Sequence, residues 1–115
     1  MIRNIPAVLF DKHIKNSKIV SYAVGSGVVP ILQTEDVLKG RDGVVIQNTH
    51  TTNIVSISPN NTVTPNSGID PGYELGKRDA IDIPLPDDSM WYMISDTLDS
   101  IPDSVVIVFQ YQLEK

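Results

Sequence analysis

The chain has 115 residues, an ordinary size for one domain, and its 41% hydrophobic and 20% charged residues indicate a folded globular protein rather than a disordered one. A net charge of −5 and a pI of about 4.7 argue against binding nucleic acid, because affinity for the phosphate backbone comes mainly from Lys and Arg. Since the sequence contains no cysteine, disulfides, thiolate zinc sites and a cysteine nucleophile are excluded.

The N-terminal stretch has no clean hydrophobic period, and Pro6 makes an independent helix unfavourable there. We therefore predict an extended N-terminal arm over residues 1–17, followed by a single β-sandwich domain over residues 18–115. The apolar run over residues 5–11 is too short for a signal-peptide core or a membrane span, so no contact with a membrane is expected. An apolar arm needs a surface to lie on, either its own domain or a neighbouring subunit.

The domain begins with alternating residues that predict a strand over residues 18–24. A second extended segment follows over residues 28–33, and Pro30 places it at a sheet edge because proline cannot donate a ladder hydrogen bond. Residues 34–39 fit one helical turn.

A hairpin is predicted between residues 43–49 and residues 53–58, which both alternate and are joined by a short polar link. The residues expected to face the core are Val44, Ile46, Val55 and Ile57. The polar stretch over residues 59–79 is rich in proline and glycine and predicts a loop with room for one short strand.

Three further strands complete the predicted domain. Residues 80–84 form a short strand with Ile81 and Ile83 inward, and residues 90–95 are apolar on both faces, which is typical of a central strand. The clearest strand pattern covers residues 104–113, and we predict a structural role for this last strand. Its core-facing row is expected to be Val105, Ile107, Phe109, Tyr111 and Leu113. The pattern predicts an all-β protein, an antiparallel β-sandwich with either jelly-roll or immunoglobulin-like strand order.

Candidate chemistry is sparse in this sequence. Acidic residues cluster at positions 79 and 82, at 87 and 88, and over 96–103, but they lack calcium-loop spacing, and we interpret them as solvated turn residues. His13 and His50 have no partners at metal-ligand spacing, and no G-x-S-x-G elbow occurs. We therefore predict no catalytic residue, no metal and no cofactor, and hence no enzyme.

Four aromatic residues could instead form a platform for a sugar, as amphipathic rings do at binding surfaces. They are Tyr73, Trp91, Tyr92 and Tyr111. Because Trp91 and Tyr92 lie in the most apolar strand, at least one of them is expected in the core.

Several segments of the chain occur in a characteristic order. They are GRDGVVIQNTHTTNIVSI at 40–57, the turn IDPGYEL at 69–75 before AIDIPL at 80–85, and the strands MWYMIS and VVIVFQYQ. Over residues 40–113 the chain resembles the small β-sandwich head decoration, or cement, proteins of tailed bacteriophages. The same pattern also fits a tail, fibre or baseplate β-domain.

The resemblance implies a non-enzymatic protein at the capsid surface of a virion, bound to the major capsid protein or to other virion subunits, with a homo-trimer or dimer among the expected assemblies. It implies that the arm anchors to a neighbouring subunit through Ile2, Ile5, Val8, Leu9 and Phe10. The loop contacts would come from Asp70, Tyr73, Lys77 and Arg78. The alternative to a virion protein is a carbohydrate-binding module.

Overall fold

The computed structural model describes residues 12–25, 27–31, 37–49, 53–64, 72–76, 78–95 and 104–114. These ranges contain eight strands and no helix. Residues 34–36 of the predicted helical turn lie outside them, and of its described residues Val37 and Leu38 have no regular structure while Lys39 forms a turn with Gly40.

The strands account for most of the described chain. Their bounds are β1 Ile14–Val24, β2 Val29–Pro30, β3 Gly43–Asn48, β4 Val55–Ser58, β5 Tyr73–Leu75, β6 Ala80–Ile83, β7 Tyr92–Ser95 and β8 Ser104–Leu113. Strand β1 begins before the predicted start at residue 18, so the last part of the predicted arm belongs to the sheet.

The eight strands form two four-stranded antiparallel sheets. Sheet 1 has the order β1-β8-β3-β6, and sheet 2 has the order β2-β7-β4-β5. The pairing is nested: the first strand pairs with the eighth, the second with the seventh, the third with the sixth and the fourth with the fifth. The two sheets pack face to face, which confirms the predicted antiparallel β-sandwich.

The main core lies between the sheets and draws on both of them. It consists of Val24, Ile31, Val44, Ile46, Val55, Ile57, Leu75, Ile83, Leu85, Met93, Val106 and Val108. The predicted inward positions of the strands at 43–48, 55–58 and 80–83 are therefore confirmed. Pro30 is in an edge strand and β7 is central in sheet 2, both as predicted.

The predicted hairpin between residues 43–49 and 53–58 is wrong. Strand β3 pairs with β6 and β8 in sheet 1, whereas β4 pairs with β5 and β7 in sheet 2. The connection therefore crosses between the sheets. The buried amide of Asn48 holds this corner, since its Nδ2 lies 2.8 Å from the carbonyl oxygen of Asn53 and 3.1 Å from that of Leu75.

The predicted core row of the last strand is also wrong, because β8 faces the other way. Val106 and Val108 are fully buried between the sheets, and Val105 is 48% exposed. Val106 lies opposite Tyr22, and Val108 lies opposite Val20, both of which pack against the same core. The row from Val105 to Leu113 is thus on the outside of sheet 1. Both rows are apolar, so alternation defines two faces without identifying the inner one.

Candidate functional site

The outer face of sheet 1 is unusually apolar for the outside of a sandwich. Its positions follow from the register, which places Ile19 beside Phe109 and Phe109 beside Val45. We define the outer face by its apolar residues, which are Ile14, Ile19, Ala23, Val45, Ala80, Val105, Ile107, Phe109, Tyr111 and Leu113. Most of them form a second hydrophobic cluster around Val45 and Tyr111. The sheet therefore has hydrophobic packing on both sides.

Exposure varies sharply across this face. Ile19 on β1 and Val105 at the start of β8 are 59% and 48% exposed. Val45 on β3 and Tyr111 near the end of β8 are buried, at 0% and 4%. One side of the outer face is thus open to a partner, while the other side is enclosed.

A polar triad of Lys12, Asp82 and Tyr111 lies on the enclosed side. The Tyr111 hydroxyl donates a 2.6 Å hydrogen bond to Asp82, whose second carboxylate oxygen is 2.8 Å from the Lys12 ammonium. The same ammonium lies 4.9 Å from the centre of the Tyr111 ring, within cation–π range. Gly43 makes the arrangement sterically possible, because a Cβ there would overlap the Tyr111 hydroxyl.

The triad shifts the pKa of two of its members. Burial, reinforced by the hydrogen bond to Asp82, raises the pKa of Tyr111 to about 12. The hydrogen bond to Asp82 also raises the pKa of Lys12 above its ordinary value. At neutral pH the phenol is therefore a neutral donor and the ammonium is charged, which suits a structural clamp rather than a general base.

Sequence reasoning missed this triad because it treated Asp82 as a solvated turn residue. Asp82 instead lies within β6, opposite Val45, and is only partly exposed. The position of Asp82 between two inward isoleucines is the sequence signal for a carboxylate on the outer face, but that signal does not identify Lys12 and Tyr111 as its partners.

A second buried polar cluster centres on Arg41, which is 2% exposed. Its guanidinium donates to the carbonyls of Leu85 at 2.9 Å, Ser89 at 3.1 Å and Pro86 at 3.2 Å, and to the side-chain oxygen of Gln110 at 3.1 Å. Burial lowers the pKa of Arg41, with nearby Asp87 opposing the shift. The N–H donors of the Arg41 guanidinium bind acceptors of the protein itself. Arg41 therefore connects the turn at residues 85–89 to β8 and is not a ligand-binding group.

The remaining acidic and histidine candidates show no convergent chemistry. The carboxylates of Asp79 and Asp87 accept backbone N–H groups of Gly76 and Gly40. Within the described ranges, no group of three or more acidic or histidine side chains could hold a metal ion. His13 is exposed, and His50 and residues 96–103 lie outside those ranges. Among the described residues there is also no helix that is long and apolar enough to cross a membrane.

The four aromatic side chains are distributed over different surfaces. Tyr111 lies on the outer face of sheet 1, and Trp91 packs against the core between the sheets. Tyr92 is opposite Ser58 on the far side of sheet 2, whereas Tyr73 is opposite the inward Ile57. The predicted four-ring platform is therefore not formed.

The predicted partner-binding residues fall largely outside the described chain. All five arm residues, Ile2, Ile5, Val8, Leu9 and Phe10, lie outside it, as do Asp70 and Lys77 of the loop. Tyr73 is 55% exposed on β5. Arg78 is exposed and has a left-handed backbone with φ of 59°. Both described loop residues are therefore accessible to a partner.

An open pocket of about 380 Å³ lies near the ends of β1 and β8, lined by Lys15, Gln112, Leu113 and Glu114. The described residues that line it include no serine, threonine or histidine. Comparison of the chain with known protein families, curated proteins and solved structures finds no match. The apolar outer face of sheet 1 is thus the strongest candidate for a functional surface in the described part of the chain, and its chemistry suits protein–protein contact.

Proposed function

We propose that this protein is a non-enzymatic structural protein of a tailed-phage virion, which binds the outer surface of the assembled capsid and stabilises it. The observation that carries the proposal is the open part of the second apolar face of sheet 1, because a sandwich needs no exposed apolar positions there to fold alone. A further apolar surface with open positions at Ile19 and Val105 is typical of a protein that packs against another one.

The nested strand order supports the same assignment. Pairing of the first with the last strand, and so on inward, corresponds to a jelly roll of eight strands in two sheets. Viral capsid domains are among the proteins that use this architecture, and so are lectins and cupins. The order therefore favours a virion role only together with the resemblance over residues 40–113.

The described polar groups also favour a structural role. Arg41 and Asp82 are engaged by groups of the protein itself. Many copies bound at equivalent sites of a shell would stabilise the assembled shell but not its free subunits. The reason is that binding shifts an equilibrium toward the form that binds.

The contacts with the shell are assigned to three places. The arm supplies apolar anchors, the open side of the outer face supplies Ile19 and Val105, and the loop region supplies Tyr73 and Arg78. No nucleic acid, membrane or cofactor is required.

The first test is the copy number of the chain in purified particles, measured by quantitative mass spectrometry against the major shell protein. A simple fraction of the shell protein is expected for decoration. A few copies per particle would assign the chain to a tail, fibre or baseplate instead, and absence from particles would overturn the virion role.

The second test is cosedimentation of the purified protein with shells that lack it. The double variant Ile19→Asp with Val105→Asp is expected to bind at least tenfold more weakly, because it places charges on the open side of the outer face. The matched control is Lys39→Asp, which changes the net charge by the same two units at an exposed turn position away from the outer face. Equal loss in both variants would mean that only net charge matters, and unchanged binding would exclude this contact surface.

A further inference from the structure

No described strand packs over the enclosed side of the outer face, where the described groups that reach across β3 include the Tyr111 ring and the Lys12 side chain. Each described strand belongs to sheet 1 itself or to sheet 2, which packs on the opposite side. Yet Val45 points outward and is 0% exposed. Its sheet neighbours, Phe109 and Asp82, lie beside it rather than above it.

The Lys12 side chain lies over the outer face of sheet 1. His13 still accepts a hydrogen bond from the backbone of Glu114, next to β8, whereas the Lys12 ammonium lies over the Tyr111 ring and reaches Asp82 on β6. The Lys12 side chain thus extends across the sheet from the β1 and β8 side toward the opposite edge. Residues 1–11 directly precede Lys12 in the sequence.

The preceding segment has the composition and length to cover this face. Residues 1–11, MIRNIPAVLFD, are mainly apolar and contain only two charged side chains. Eleven extended residues reach about 36 Å. The four strands of sheet 1 span about 14 Å between their outer axes, so the segment can cross the sheet.

We infer that the outer face of sheet 1 is a docking surface for residues 1–11 of the same chain, held in place by the Lys12–Asp82–Tyr111 triad. The segment covers Val45 and the adjoining part of β8 and leaves Ile19 and Val105 open. This inference concerns the free protein and does not rest on the virion role. If the arm also anchors to a neighbouring subunit, it must leave this face when the shell is bound, and the two states then compete for the same apolar residues.

The test is methyl NMR of the full chain without any shell, at two protein concentrations. We expect cross-peaks between methyls of Val8 or Leu9 and methyls of Val45 or Ile107. A mixture of labelled and unlabelled chains shows whether each contact forms within one molecule or between two molecules. An isotope-filtered spectrum of this mixture retains only the contacts between two molecules. Cross-peaks that appear in the filtered spectrum would assign the cover to a second copy, and absence of any arm contact with Val45 would leave the face to a foreign partner. Either result overturns the inference.

A truncated chain provides an independent readout. Removal of residues 1–11 is expected to increase binding of a hydrophobic fluorescent dye severalfold, and a synthetic peptide of residues 1–11 is expected to reverse the increase. The matched control peptide carries serine in place of Ile2, Ile5, Val8, Leu9 and Phe10, and should have no effect. Reversal by both peptides, or no increase on truncation, would contradict a docked arm.

Discussion

Tyr111 donates its hydrogen bond to Asp82 across an intervening strand, since β3 lies between β8 and β6. The phenol can cross because Gly43 has no side chain at that point. The Lys12 ammonium then lies over the ring and contacts the same carboxylate. These contacts connect strands β8, β3 and β6 with Lys12, the first residue of the described chain.

Replacement of Gly43 by alanine should destabilise the protein by about 1–3 kcal/mol, the usual cost of overpacking. The new Cβ would overlap the Tyr111 hydroxyl and lie 2.9 Å from the carbonyl oxygen of Ile83. Urea unfolding measures the effect. Gly27→Ala is the matched control, because a Cβ there meets no atom within 4 Å and should not reduce stability. Equal stability of the two variants would mean that Tyr111 does not cross the sheet at Gly43.

The Tyr111 hydroxyl should make folding sensitive to alkaline pH. Its pKa is about 12 in the folded protein and about 10 in a free chain, so the folded state holds the proton more tightly. The stability from this difference is fully present below pH 10 and is lost as the pH rises toward 12. At about 1.4 kcal/mol per unit, it amounts to roughly 2–3 kcal/mol.

This pH dependence can be isolated by comparison with Tyr111→Phe. The difference in unfolding free energy between the two proteins should shrink between pH 10 and pH 12. The ultraviolet difference spectrum of wild type minus variant gives the titration of Tyr111 alone, with an expected midpoint near 12. In Asp82→Asn the midpoint should fall but stay above 10, since burial remains. A wild-type midpoint near 10 would contradict the buried, hydrogen-bonded phenol.

Arg41 should be among the most sensitive side chains in the protein. Arg41→Met removes a donor from four acceptors and should cost roughly 2–3 kcal/mol, because the carbonyl oxygens of Leu85 and Ser89 lose the Arg41 hydrogen bond at a buried site. Arg41→Lys should recover only part of the loss, since lysine lacks the planar fork. Arg78→Met, at an exposed position, is the control and should change stability by less than about 0.5 kcal/mol. Similar melting of all three variants would exclude a structural role for the Arg41 cluster.

Two outward positions should respond differently to the same polar substitution. Val45→Thr should destabilise the fold by about 1–2 kcal/mol, because Val45 is fully enclosed and the new hydroxyl loses water. Ile19→Thr, at 59% exposure, should cost under about 0.5 kcal/mol. Threonine keeps the β-branch in both variants, so strand preference is matched. Equal costs, measured by urea unfolding, would show that the outer face is uniformly open.

Much of the fold was predictable because strand alternation is a local property. The inward positions of β3, β4 and β6, the edge location of Pro30 and the central position of β7 all follow from short stretches of sequence. The triad was not predictable, because Lys12, Asp82 and Tyr111 lie far apart in the chain. Their contact depends on which strands become neighbours.

The sequence by itself determined that this chain forms an antiparallel β-sandwich, since period-2 patterns and turn residues specify strands locally. Only the tertiary structure decided that β3 and β4 belong to different sheets and that Val106, rather than Val105, faces the core. Both decisions depend on non-local packing. A row of apolar residues indicates that this face of the strand is buried. Which residues bury it depends on strands or segments that are distant in the chain.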